Sequence, residues 1–322
     1  MESLASATLY LAIAACTVAT LAYWAHTLGL RLVVRRLATP LGEGPSVATI
    51  ERGDGNGWSY GTGLAATGAT WTALALLAVS LLARWQAVDH APWSNMYEFT
   101  IAFATAIAGF YAVFEWVYVG RQETGDRRQG VRSPRAIGSV ALPVVLSGLV
   151  VAAAFFPSDV RPLVPALQNT DLLAIHVAAM ILAYSALSVS FGAAVLYLAQ
   201  AWPESDRRRG PQNRFDRLPK ARLLDEIGYK SVMVGFPLLA AGIALGAYWA
   251  NSAWGRYWGW DPKETAALLT LLVYGVYLHM RGLRKWSGVR SSVVLVIGFG
   301  AVLFTYFVVN LWVSGLHSYA GV

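Results

Sequence analysis

The side chains able to do chemistry in this chain are few, and most of them crowd into one stretch. From 249 to 264 the sequence reads Trp249-Ala-Asn-Ser-Ala-Trp254-Gly255-Arg-Tyr257-Trp258-Gly259-Trp260-Asp261-Pro-Lys-Glu264, with five aromatic residues inside twelve positions. Aromatic residues collect at membrane interfaces in any multi-spanning protein, and two of them near a helix end would mean nothing more. Here the density is higher, and Gly255 and Gly259 remove side chains where a flat ligand could approach the backbone. Each indole adds stacking surface with a polar handle. Trp254, Tyr257, Trp258 and Trp260, with the two glycines, are therefore the candidate shelf for a planar, amphipathic molecule. Asp261 suits an N-cap, Pro262 the first helical position, and Glu264 can reach back in capping-box fashion. The two carboxylates are thus assigned to starting a helix rather than to acid–base work.

A planar ligand carrying a metal needs axial donors, and histidine is the usual one for haem. The chain has five histidines. His176 stands about five residues into an apolar run, and His317 just beyond the end of the last run. The charge pattern described below puts both at the level of the tryptophan loop. Facing each other across a haem beneath the aromatic shelf, they would make a six-coordinate site, so they are the candidate metal ligands and the residues expected to carry the chemistry. His279 lies about fourteen residues into its run, ~21 Å down at 1.5 Å rise per residue, toward the opposite side. An ionisable group inside a span is a functional candidate, and on this reading no second histidine shares its depth. A metal bound there would take its opposite ligand from another subunit, or have none. His90, in Asp89-His-Ala-Pro-Trp-Ser-Asn-Met-Tyr-Glu98, is a surface or structural group on the loop side.

The elements that must hold these residues are membrane helices. The chain has 322 residues, 56% hydrophobic and 13% charged, with a mean hydropathy of +0.48. So little charge cannot cover a soluble domain of this length. Eight apolar runs, near 9–30, 63–83, 99–119, 138–156, 171–201, 226–250, 265–283 and 291–314, are each of the length needed to cross a bilayer. The expected fold is all-α, a single transmembrane haem-handling domain over 1–322 with the tryptophan-rich segment at 251–265. Arginine and lysine cluster after the first, third, fifth and seventh runs, while the alternate loops hold only Arg84, Arg161, Arg256 and Lys263. By the positive-inside rule, both termini and the tryptophan loop face outward. The net charge of +7 is then a topology signal and not a nucleic-acid footprint.

Cys16, the lone cysteine, is expected to be a buried structural thiol, and no Cys-x-x-Cys-His or phosphate-binding glycine loop is present. The N-terminus lacks a charged leader region, so the first run is expected to be a retained helix. Gly53 to Gly57 is expected to be a turn cluster. Residues 203–222 are expected to be mobile, with an amphipathic helix lying at the interface from Leu218 to Ile227.

These residues resemble a known family. Trp254-Gly-Arg-Tyr-Trp-Gly-Trp-Asp-Pro-Lys-Glu-Thr265 is similar to the signature of the tryptophan-rich "WWD" haem-handling membrane proteins of cytochrome c maturation, above all the CcsA (ResC-like) subunits of system II cytochrome c synthases. The likeness extends to residues 90–98, the His176 segment, Gly235-Phe-Pro-Leu-Leu239, Tyr274-Gly-Val-Tyr-Leu-His279 and Gly315-Leu-His-Ser-Tyr319. It implies a cytochrome c haem lyase subunit of the bacterial plasma membrane, handling haem b on the outer, periplasmic side. His176 and His317 would be the two external ligands, and His279 an intramembrane ligand paired with one from a CcsB/ResB-like membrane subunit. The implied partners are that subunit, apocytochrome c and thiol-reducing proteins. Family members often carry a tryptophan after Lys-Glu-Thr, where this chain has Ala266, thinning one wall of the shelf. The alternatives are a haem exporter without attachment activity and a bis-histidine membrane cytochrome b.

Overall fold

In an apolar solvent every backbone N–H and C=O must be satisfied within its own segment, which confines a chain of this composition to helices. The computed structural model describes residues 1–28, 55–123, 133–160, 163, 165–168, 170–201, 218–284 and 286–317. It contains α1 (Glu2–Leu28), α2 (Gly55–Val88), α3 (Met96–Glu123), α4 (Gly138–Phe155), α5 (Thr170–Ala201), α6 (Ala221–Trp254), α7 (Pro262–Arg284), α8 (Val289–Leu303) and the short α9 (Val309–Trp312). A π-helical turn, Phe304–Val308, joins α8 to α9 as one continuous rod. Eight helices are long and apolar enough to cross a membrane, as expected from the eight runs. The bundle alternates up and down, so the tryptophan loop, residues 89–98 and the end of the chain gather at one end, the loop end.

Two tight antiparallel pairs, α1 with α2 and α5 with α6, frame the bundle, and α5 also packs against α8, α3 and α4. Small residues allow the close approach, as is usual where lipid supplies no driving force for helix pairing. On α1 the buried seam is Ala5, Ala12, Cys16 and Ala19, and the thiol of Cys16 is fully buried there, as expected. On α6 the seam against α5 is glycine: a Cβ on Gly235 would meet Leu187 Cδ2 at 2.9 Å, and one on Gly242 would meet Met180 Sδ at 2.6 Å.

Two expectations are corrected. Gly55, Asn56 and Gly57 open α2 instead of forming a turn, while Gly53 and Asp54 lie outside the described residues. The segment near Leu218 to Ile227 is not a separate interfacial helix. From Ala221 it is the first part of α6, which runs unbroken to Trp254, because Leu224 and Ile227 are buried against the bundle. Most of 203–222 lies outside the described residues.

The end opposite the loop is clamped by buried charge. Glu115 on α3 accepts hydrogen bonds from Tyr23 (2.5 Å), Tyr111 (2.6 Å) and Thr67, and pairs with Arg135 at 3.4 Å. One carboxylate thereby ties α1, α2, α3 and the entry to α4. His26 belongs to this end: it is buried, and it packs with Arg135 against Gly63. A second histidine, His26, is thus carried by α1 to the end of the bundle toward which His279 lies. It sits in the α1–α2–α4 half, whereas α7, carrying His279, packs on α6 and α8. In the other half a bidentate pair, Arg281 to Asp225 at 2.7 and 2.9 Å, joins α7 to α6, and Gly288 N–H donates to the same carboxylate.

Breaking a buried pair by removing one partner costs about 3–5 kcal/mol. Glu115→Ala is expected to lower the thermal unfolding midpoint of the detergent-purified protein far more than Glu226→Ala, which removes only the exposed pair with Lys230. Thermal melting of the two variants side by side checks this.

Candidate functional site

His176 is positioned by what α6 lacks. Its Nδ1 donates to Gly242 C=O at 2.7 Å, a carbonyl reached because no side chain stands over it. A Cβ on Gly246 would lie 2.6 Å from His176 Cε1, so only glycine leaves room for the ring. A carbonyl can only accept, which puts the hydrogen on Nδ1 and the lone pair on Nε2. The Trp249 ring lies parallel to the imidazole, 2° between planes and 6.5 Å between centroids.

His317 is positioned by Asp261. Its Nδ1 donates to Asp261 Oδ2 at 2.7 Å, while Leu316 N–H donates to Oδ1 at 2.6 Å. Gly315 makes this approach possible, because a Cβ there would fall 2.5 Å from Asp261 Oδ1. The same Oδ2 accepts from Lys263 N–H at 3.0 Å, the N-cap bond expected for α7. Glu264 completes the cap by accepting from Gly259 N–H at 2.9 Å and Asp261 N–H at 3.1 Å. Asp261 therefore both starts a helix and orients a histidine, and local spacing points only to the first role. Burial raises the Asp261 carboxyl, but the bonds from His317 and the backbone outweigh it and hold the group at about 2. Burial lowers His317 below the ordinary imidazole value, against the pull of Asp261. The pair at neutral pH is then a carboxylate and a neutral imidazole with its lone pair on Nε2, the form that binds metal.

Both histidines line one cavity of about 140 Å³. Trp249 sits against both, 6.0 Å from the His317 ring centroid, and Trp254 meets His317 edge-on at 4.9 Å. Trp258 lines the cavity, and it packs at 90° on Trp260. Tyr257 and Trp260 are exposed beyond it. Gly255 closes α6 in the left-handed conformation at φ 74°, and Gly259 packs under Arg256. Trp260 also has a positive φ, 56°, a strained conformation for a bulky residue that sits between the platform and the α7 cap. His279 lies elsewhere, exposed on α7 in a stripe with Leu269, Leu272, Val276 and Leu283. His90 is bonded to the neighbouring Ala91 carbonyl and is not part of the cavity wall.

Several wall residues are not singled out as site residues by the sequence, although 90–98 belongs to the family likeness. Trp93, Ser94, Asn95 and Met96 line the cavity, held there by Glu98, which accepts from Ser94 N–H and Oγ and pairs with Arg84 at 2.9 Å. Thr305, Tyr306 and Asn310 line the opposite side, on and just after the π-helical turn. Such turns are rare and recur at functional sites. The glycines at 228, 235 and 242 recur every seven residues, and that spacing is the available signal for the α6 seam beside His176.

Among the described residues no group of three or more His, Cys, Asp or Glu could hold a metal ion. Two histidines, each with Nδ1 anchored, suit instead a metal already carried by a planar ring that lacks only axial ligands. The fold and this site define a membrane-spanning helical bundle with a tryptophan-walled cavity at its loop end, lined by two histidines anchored through Nδ1. Residues 72–317 match the model of the cytochrome C assembly protein family. The cytochrome c biogenesis protein CcsA of Chlamydomonas reinhardtii is 36% identical over 247 residues, 76% of this chain and 65% of that protein, so the match spans slightly under two thirds of its length. The CcsA protein of Thermosynechococcus vestitus is 34% identical over 80% of this chain and 88% of its own length. The cytochrome c haem lyase CcmF shares the fold, with a TM-score of 0.60 at 18% identity, over 95% of this chain and 46% of that one. The chain belongs to the cytochrome c assembly protein family, among the CcsA proteins.

Gly246→Ala is expected to displace the His176 ring and cost about 1–3 kcal/mol, as overpacking usually does. Gly68→Ala, with open space around it, is the control and should leave stability unchanged or raised. Melting curves of both variants decide it.

Proposed function

We propose that this chain works in cytochrome c biogenesis as a haem lyase subunit of the bacterial plasma membrane, presenting haem b on the outer face for thioether attachment to the Cys-x-x-Cys-His segment of apocytochrome c. The observation that carries this reading is the pair His176 and His317, each locked through Nδ1 and both lining one tryptophan-walled cavity. Haem is here the substrate. A cavity of about 140 Å³ is below the ~300–1,000 Å³ usual for ligand pockets, so the histidine region takes the centre of the porphyrin and the exposed Tyr257 and Trp260 cover what projects. That projection is where the thiols of a secreted partner can reach it. Each attachment forms a C–S bond to a vinyl carbon as the S–H bond breaks and the proton passes to the neighbouring vinyl carbon, with no net redox change. The contribution of the chain is position and orientation.

His279 is the entry ligand in this reading. It lies on an exposed apolar stripe, and leaving an imidazole against lipid is costly. A CcsB/ResB-like membrane subunit covering that stripe would bury it and supply the opposite ligand. Thiol-reducing proteins would keep the substrate cysteines available. Both termini, and the site, face outward.

The purified complex is expected to show a low-spin haem spectrum that His176→Gly or His317→Gly abolishes and added imidazole restores. Co-expression with an apocytochrome should give covalent haem in the wild type and none in the double variant. Persistence of the low-spin signal in the double variant sinks the ligand assignment, and bound haem without thioether formation favours export alone. His279→Ala should reduce haem loading of the complex without abolishing the low-spin form of the fraction loaded.

A further inference from the structure

The cavity has one feature that the two histidines and the tryptophans do not use. Among the described residues Lys263 is the only lysine or arginine lining it. Its Nζ donates to Asn310 Oδ1 at 2.7 Å, a neutral acceptor. Among the described residues no carboxylate forms an ion pair with it. The two carboxylates nearest in sequence are engaged elsewhere: Asp261 binds His317 Nδ1 and the backbone N–H groups of Lys263 and Leu316, and Glu264 binds the N–H groups of Gly259 and Asp261.

An ammonium has three donors, and one neutral partner does not balance a cation held against apolar walls. Asn310 is itself held, because its Nδ2 donates to Tyr306 C=O at 2.7 Å, which turns Oδ1 toward Lys263. The lysine is thus steered into the cavity by a built support on α9, just after the π-helical turn, with its charge left for a ligand. The ligand chemistry that fits is a carboxylate on a large, flat, mostly apolar molecule.

We propose that Lys263, steadied by Asn310, binds a propionate carboxylate of the haem and so fixes which edge of the porphyrin enters the site. The inference rests on the haem reading above and adds an orientation to it. Two axial histidines hold the iron but leave the ring able to rotate about the axis joining them. A cation at the first turn of α7 removes that freedom. It draws the carboxylate edge inward and leaves the vinyl edge to project beneath Tyr257 and Trp260, where thiols can add. Lys263 is then a positioning residue and not an acid or base.

The test compares iron protoporphyrin with its dimethyl ester, each titrated into the full-length chain in detergent and read by absorbance. The wild type should bind the diacid about ten- to a hundredfold more tightly than the ester, the range expected for a hydrogen bond to a charged group. Lys263→Met should remove that preference while keeping the low-spin bis-histidine spectrum, and Lys263→Arg should restore much of it. Lys263→Gln, which can still bond Asn310, replaces the methionine variant if that one fails to fold. Equal binding of diacid and ester by the wild type overturns the inference and leaves the histidine assignment standing. A full preference retained in the variants overturns it too, because the carboxylate is then read elsewhere. If neither porphyrin gives a low-spin spectrum with the wild type, the haem reading fails first and this inference with it.

Discussion

The Asp261 carboxylate divides two oxygens among three donors: the N–H at the start of α7, the N–H of Leu316, and Nδ1 of His317. The start of α7 and the seat of His317 both depend on that division. The group caps a membrane helix whose first N–H groups have no other acceptor. It also draws the end of the chain down onto that cap and sets the tautomer of a candidate ligand. Gly315 is required for the approach, and the left-handed Trp260 delivers the carboxylate to it. A site built on a helix cap inherits the rigidity of the helix, which is what a ligand that must hold a metal in a fixed direction needs.

The histidine on the other wall is held differently. His176 has no carboxylate. A bare carbonyl at Gly242 serves as acceptor, and the space above Gly246 serves as its seat. An anionic partner orients one ring and a neutral one the other, so the two imidazoles are unequal in basicity. The His317 side, pushed toward imidazolate character by a full charge, is the stronger donor.

Much of this is legible in the residues alone. The eight spans follow from hydropathy and the alternation of basic loops, because lipid imposes length and polarity so strictly. Helix capping by Asp261 and Glu264 follows from local spacing. The two histidines and the density of aromatics mark one region. What escapes a linear reading is of two kinds. Contacts between residues far apart in the chain, such as Asp261 with His317 or Lys263 with Asn310, have no local signature. Roles played by missing atoms, such as those of Gly242, Gly246 and Gly315, are invisible unless the neighbour that fills the space is known. His26 is a plainer case, for its position near the end of α1 is readable from its distance along the first run. Tertiary packing also overrules a local pattern at 218–227, where an amphipathic look conceals the base of a long buried helix.

The π-helical turn at Phe304–Val308 has a consequence of phase. One residue more than an α-helix would use is absorbed there, and a residue corresponds to about 100° of rotation in an α-helix. Val309 to Trp312 are therefore clocked around the rod axis relative to α8, which packs against α5 and α7. The turn works as an angular offset between the part of the rod that packs and the part that faces the cavity. Length changes in this segment would swing Asn310 around the axis before they moved it along it. The aim of Asn310 is set by counting residues, while His317 beyond it is fixed by Asp261.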